Sequence, residues 1–115
     1  MLRSLLNTKK TFLIPGTFDA LSALIAKQAG FKALYLSGFG VAGSMLAKPD
    51  IGLVTASEMT ERARQVVAAV GDTPLIADGD NGYGGENNVA RLSLIHISEP
   101  TRRYAISYAV FCLKK

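Results

Sequence analysis

The densest chemistry in this chain is a pair of aspartates one residue apart, running into glycines: Asp78-Gly79-Asp80-Asn81-Gly82-Tyr83-Gly84-Gly85. The run follows directly on the short apolar stretch Leu75-Ile76-Ala77. Two carboxylates this close raise each other's pKa unless a cation or a network of donors keeps both ionised. A hard divalent ion answers that need, and Mg2+ takes one or two carboxylates together with waters and substrate oxygens. The glycines let the backbone turn through positive φ and come close to a bound group. The same composition also builds an ordinary solvated turn, so the run alone leaves both readings open. A phosphate cradle at a helix N-terminus is a third reading. Against it, the glycines lack the lysine and Ser/Thr of the nucleotide-binding pattern, and two acids oppose a bare phosphate.

The elements that must position these acids alternate along the chain. Thr11-Phe12-Leu13-Ile14 predicts a strand ended by Pro15-Gly16. Asp19 can cap a following helix with an apolar face of Leu21, Leu24 and Ile25 and a stop at Gly30. Ala33-Leu34-Tyr35-Leu36 predicts a second strand ending at Ser37-Gly38, and a long loop is expected from there through Pro49-Asp50 to Thr55. Thr55 and Glu58 form a capping box for a helix with apolar positions Met59, Ala63, Val66, Val67 and Val70, ended by Gly71. Pro74-Leu75-Ile76-Ala77 predicts the third strand, and Glu86 to Arg91 the start of another helix that is interrupted after Arg91. Short, continuously apolar strands between helices suit a parallel sheet covered on both faces, in a β/α barrel or a doubly wound sheet. Both architectures bind ligands at the carboxyl edge of the strands. Thr17 with Asp19, Tyr35 and Ser37 with Asp50, and Asp78 with Asp80 all fall on that edge. That convergence favours a site over a turn.

Composition excludes several classes of function. The chain has 115 residues with 13 basic and 9 acidic side chains, a net charge of +4. Residues 92–115 hold four of those bases and one acid, which leaves nine and eight in residues 1–91, a net of +1. Leu92 to Arg102 resembles the direct translation of a transposase-end sequencing adapter, and Ile106 to Leu113 the translation of its outer part. Arg103-Tyr104-Ala105 fill the place of the variable index, and Lys114-Lys115 would follow from a run of adenines. Residues 92–115 are therefore expected to be a read-through tail, and residues 1–91 a partial β/α barrel. Without the tail the charge is near balance, so no nucleic-acid partner and no membrane surface is expected. The single histidine, His96, and the single cysteine, Cys112, both lie in the tail, so neither a Cys–His nucleophile nor a histidine metal site is expected. The apolar runs fall well short of the roughly 18 residues of a spanning helix, and no secretory signal pattern opens the chain. A cytoplasmic location is the expectation.

Four segments together carry a family resemblance: Phe12-Leu13-Ile14-Pro15-Gly16-Thr17-Phe18-Asp19-Ala20, Tyr35-Leu36-Ser37-Gly38, Pro49-Asp50-Ile51-Gly52-Leu53 and Ala77-Asp78-Gly79-Asp80-Asn81-Gly82-Tyr83-Gly84. In this order they resemble the isocitrate lyase and phosphoenolpyruvate mutase superfamily, over roughly residues 2 to 91, with the Asp-x-Asp-x-Gly-Tyr-Gly run the most specific of them. Methylisocitrate lyase, oxaloacetate decarboxylase and the carboxyphosphonoenolpyruvate mutase-like enzymes are the types it is most similar to. The resemblance implies an α/β fold that is an N-terminal fragment, about three βα units, of a (β/α)8 TIM barrel, from a parent that is a homotetramer.

The resemblance also implies roles. Asp78 would meet Mg2+, or Mn2+ in its place, directly, while Asp80 and Asp50 would hold metal-bound waters or orient the site. Tyr35 would lie close to the reacting carbon. Ser37 and the amide of Gly38 would bind the carboxylate of a 2-oxo acid. The implied reaction is Mg2+-dependent carbon–carbon cleavage of 2-hydroxy or 2-oxo di- and tricarboxylates through an enolate of pyruvate type. Phosphonomutase and oxaloacetate decarboxylase chemistry are the alternatives in the same superfamily, and a non-catalytic anion- or nucleotide-binding α/β module is the alternative outside it. Departures from the family pattern are the absent Lys-Lys-Cys-Gly-His loop, the absent later acidic residue and substrate-gripping arginine, and Phe39 where many lyases have a second glycine. They imply an enzymatic parent and an inactive chain as it stands. Tyr83 and Phe39 are expected to be packing residues.

Overall fold

The computed structural model describes residues 2–8, 10–96 and 110–112, and in them strands alternate with helices. The order is α1 (Leu2–Leu6), β1 (Gly16–Thr17), α2 (Ala20–Gln28), β2 (Leu34–Leu36), α3 (Gly38–Leu46), α4 (Ala56–Val70), β3 (Leu75–Asp78), α5 (Glu86–His96) and β4 (Val110–Cys112). The strands form one sheet in the order β1-β2-β3-β4. β1, β2 and β3 run parallel, with Gly16 opposite Tyr35 and Leu34 opposite Leu75. β4 runs antiparallel along the far side of β3, with Ile76 opposite Cys112 and Asp78 opposite Val110.

Side-chain alternation decides which face of the sheet is covered. Leu34 and Leu36 of β2 and Leu75 and Ala77 of β3 are buried, and they join one core with Ala23 and Ala26 of α2, Val41 and Ala42 of α3, and Met59, Ala63, Val66 and Val70 of α4. Tyr35, Ile76 and Asp78 point to the other face and are only partly buried. Among the described residues, then, helices pack on one face, and the expected cover on both faces is not seen. Tyr35 and Asp78, two of the candidate site residues, lie on the face that the described helices leave uncovered.

Local chemistry explains the helix ends. Asp19 accepts from the Ser22 amide at 2.7 Å while the Ser22 hydroxyl accepts from the Asp19 amide, closing a capping box on α2. Thr55 and Glu58 close the expected box on α4, which stops at Gly71. Lys27, in the last turn of α2, donates from Nζ to the Val70 carbonyl at 3.0 Å and so satisfies an open carbonyl at the end of α4. The Asp19 carboxyl sits below its ordinary range, first because of the Ser22 amide it accepts from, then its hydroxyl and the Arg62 charge. A depressed folded pKa stabilises above the unfolded value of 3.8 and ceases to do so as pH falls through the folded value. Asp19→Ala is accordingly expected to lower stability by about 1 kcal/mol at pH 7. Urea midpoints should differ at neutral pH and converge once the pH is below both values; a constant gap would remove the charge from this account.

Four expectations are corrected. The first strand is Gly16–Thr17, not residues 11–14: Tyr35 donates to the Pro15 carbonyl at 3.0 Å, but Pro15 has no N–H with which to extend the ladder, and Leu13 is exposed. The buried face of α2 is Ala23 and Ala26, with Leu24 half-buried and Leu21 and Ile25 exposed, because the small residues let α2 pack closely on α4. The expected loop after Gly38 contains helix α3, capped by Ser37. Helix α5 does not end near Arg91 but runs on to His96, and Leu92 is buried in the core. Most of residues 92–115, including 97–109 and 113–115, lies outside the described residues.

Candidate metal and carboxylate site

The site is built where β2 and β3 end. β3 carries Asp78 as its last residue on the uncovered face, and the chain then turns, with the Gly82 amide donating to the Gly79 carbonyl at 2.9 Å. Asp80 and Tyr83 both hold positive φ, 46° and 60°, an uncommon conformation for residues with a side chain. The turn is held from inside. The Asp80 amide donates to Asp78 Oδ1 at 2.9 Å, the Tyr83 amide to Asn81 Oδ1 at 3.1 Å, and the Tyr83 hydroxyl to the Asp78 carbonyl at 3.3 Å.

β2 is followed by Ser37, whose hydroxyl accepts from the Gly40 amide at 3.2 Å as the N-cap of α3. The first amide of that helix, at Gly38, donates to Asp78 Oδ2 at 3.4 Å. A side chain at Gly38 would not fit: a Cβ there would stand 2.9 Å from Asp78 Oδ2 and 3.6 Å from Asp50 Oδ2. Asp78, at the end of β3, and Asp50, in the loop between α3 and α4, therefore face the same patch of backbone. Gly38, Asp50 and Asp80 line one cleft with Gly52, Val54, Met59 and Tyr83.

The electrostatics agree with this crowding. Partial burial, then the charges of Asp80 and Asp78, push the Asp50 carboxyl above its ordinary value. Burial, then the charge of Asp78 and hydrogen bonding to it, then the charge of Asp50, push the Tyr35 hydroxyl to about 12. Tyr35 thus stays a neutral donor throughout the physiological range. Tyr83 is pushed up as well, by burial first and then by Asp78, Asp80, Asp50 and Tyr35.

The structure thus brings together Asp50, Asp78, Asp80, Gly38 and Tyr35. It turns the Ser37 oxygen toward a helix cap. Thr17 and Asp19, which the sequence placed on the same edge, are engaged structurally: the Thr17 hydroxyl donates to the Tyr35 carbonyl at 3.0 Å, and Asp19 caps α2. Phe39, expected to pack, is 70% exposed. Tyr83 does pack against the core, and its hydroxyl bond to the Asp78 carbonyl was not foreseen. Gly52, which the Asp50 segment contains, was not singled out as a site residue, and Val54 and Met59 were missed because no local spacing ties them to the acids.

A divalent ion fits these donors in one way. The described residues contain no group of three or more His, Cys, Asp or Glu side chains able to encircle an ion. What they offer is hard carboxylate oxygen from Asp78 and Asp80 with Asp50 near by, whose carboxyl is pushed up by burial and then by their charges, a repulsion that a cation would relieve. That suits Mg2+, which keeps several waters and takes few protein ligands.

A profile of the family described as Phosphoenolpyruvate phosphomutase matches residues 2–97. 2,3-Dimethylmalate lyase of Eubacterium barkeri is 46% identical over 90 residues, covering 78% of this chain and 31% of the relative. 2-Methylisocitrate lyase of Bacillus subtilis is 45% identical over 89 residues, covering 77% of this chain and 29% of the relative. Among solved structures, oxaloacetate acetylhydrolase in complex with the product oxalate superposes with a TM-score of 0.72 at 42% identity, over 78% of this chain and 32% of that one. Phosphonopyruvate hydrolase in complex with oxalate and Mg2+ superposes with a TM-score of 0.72 at 35% identity, over 79% of this chain and 31% of that one. The chain spans about a third of the length of the relatives it matches.

Proposed function

The chain belongs to the phosphoenolpyruvate mutase/isocitrate lyase superfamily, and we propose that it is the N-terminal part of a Mg2+-dependent carbon–carbon lyase acting on 2-hydroxy or 2-oxo di- or tricarboxylates. The observation that carries the reading is the convergence of Asp50, Asp78 and Asp80 beside the first amide of α3. Asp78 would hold the ion directly, and Asp80 and Asp50 would orient its waters. A bound Mg2+ supplies Lewis-acid stabilisation of negative charge that develops on a 2-oxo oxygen. Ser37 and the Gly38 amide would receive a substrate carboxylate at the N-terminus of α3, whose dipole favours an anion, the amide exchanging its 3.4 Å bond to Asp78 Oδ2 for the substrate oxygen. Tyr35, a neutral donor on the same face, would lie against the carbon whose bond breaks and hold the enolate oxygen by hydrogen bonding.

The reading is supported by the names of the relatives, several of which are lyases of branched hydroxy acids, and by the oxalate and Mg2+ in the phosphonopyruvate hydrolase complex. Cytoplasmic location and tetrameric assembly are part of the proposal; no helix among the described residues is long and apolar enough to cross a membrane. Hydrolase or mutase chemistry on the same scaffold is the second reading, favoured by the match to phosphonopyruvate hydrolase.

The test is product analysis on the complete reading frame with 2-methylisocitrate, 2,3-dimethylmalate, oxaloacetate and phosphonopyruvate side by side. Cleavage that stops on chelation and in Asp78→Ala is expected, and full metal-dependent turnover in Asp78→Ala would refute the assignment. Phosphonopyruvate as the preferred substrate would favour the second reading.

A further inference from the structure

We infer that Tyr83 is a positioning residue for Asp78: its hydroxyl anchors the backbone at the last residue of β3 and thereby sets where the Asp78 carboxylate stands. The inference builds on the proposed role of Asp78 as direct metal ligand. It goes beyond packing because of what the hydroxyl touches. The Tyr83 hydroxyl donates to the Asp78 carbonyl at 3.3 Å, across a turn of five residues. The Asp78 carboxylate is in turn held at both oxygens by main-chain amides, Asp80 on Oδ1 at 2.9 Å and Gly38 on Oδ2 at 3.4 Å. A carboxylate fixed at both oxygens keeps its direction only while the backbone that carries it stays still, and the tyrosine hydroxyl is the side-chain donor on that backbone.

Tyr83 itself is placed at some cost. Its φ of 60° is left-handed, and positions of this kind persist where the surroundings over-determine them, often beside functional groups. Its ring packs on the core, and its amide is taken by Asn81. The flanking turn leaves no slack: a Cβ on Gly82 would collide with Val89, and one on Gly84 would stand 2.6 Å from Asn88 Cγ. Ring, backbone and neighbours therefore direct one hydroxyl at one carbonyl.

Tyr83→Phe removes the hydroxyl and keeps the ring. In the metal-free chain the amide resonances of Asp80 and Gly38, both donors to Asp78, should shift, and their hydrogen exchange should quicken about threefold to tenfold. Val89→Ala is the packing control; it should lower stability and leave those two amides in place. In the same proteins Mn2+ affinity, read by electron paramagnetic resonance, should fall about threefold to tenfold in Tyr83→Phe only. Changes confined to the neighbours of the ring in Tyr83→Phe, or equal movement of both amides in Val89→Ala, would overturn the inference. If the unaltered chain takes up no Mn2+, the metal reading fails, and the amide comparison still decides the role of Tyr83.

Discussion

Gly38→Ala is expected to lower turnover of the complete enzyme about 100-fold or more, although the change adds one methyl group far smaller than any substrate. The added Cβ would stand 2.9 Å from Asp78 Oδ2, inside the contact distance of carbon and oxygen, and 3.3 Å from Asp78 Cγ. Asp78 cannot yield locally, because its other oxygen is held by the Asp80 amide. Either the carboxylate swings away or the first turn of α3 lifts, and both displace the Gly38 amide from Asp78. Displacing reacting groups by about 1 Å is enough for a loss of this size. Steady-state rates with Mg2+ in excess check it. Loss of metal affinity and rate together supports the geometry, whereas an alanine enzyme with the parent rate would mean that the close approach has no role.

Gly82→Ala is expected to act on stability, lowering it by about 2–4 kcal/mol. Gly82 has φ of 90°, which a residue with a Cβ rarely adopts, and the new methyl would overlap Val89 Cγ2 and stand 3.1 Å from Val89 Cβ at the start of α5. Relief would require α5 to move off the turn, which would withdraw Leu92 from the core. Urea unfolding followed by circular dichroism reads the effect, and an unchanged midpoint would show that α5 is not pinned to this turn.

How much of this was legible in the sequence depended on whether the signal was local. Strand β3 followed by Asp-Gly-Asp, the Thr55–Glu58 capping box and the Asp19 cap are each written in adjacent residues, and each appears in the structure where expected. Helix α3 was missed because Gly38, Gly40 and Gly43 read as loop. The signal that could have found it was Ser37 as a cap, followed by Val41, Ala42, Met45 and Leu46 at helical spacing. The face of α2 was misjudged for the opposite reason. Size suggested Leu21 and Ile25, but the contact with α4 is close and selects Ala23 and Ala26, a choice made by the partner helix.

The site divides in the same way. That Asp78 and Asp80 belong together follows from their spacing. That Asp50 joins them depends on a loop 28 residues earlier folding back over Gly38; the strand-edge pattern and the motif resemblance suggested it, and the structure brings the Asp50 and Asp78 carboxylates to one patch. The Tyr83 anchor could not be read at all, because a tyrosine in a glycine-rich turn has the same sequence signature whether its hydroxyl meets water or a carbonyl.

The most direct test is Mn2+ uptake by the 115-residue chain in the presence of oxalate, with Asp78→Asn alongside. The account expects one ion per chain, displaced by excess Mg2+, with uptake abolished in Asp78→Asn. Equal uptake by Asp78→Asn and the unaltered chain would contradict it.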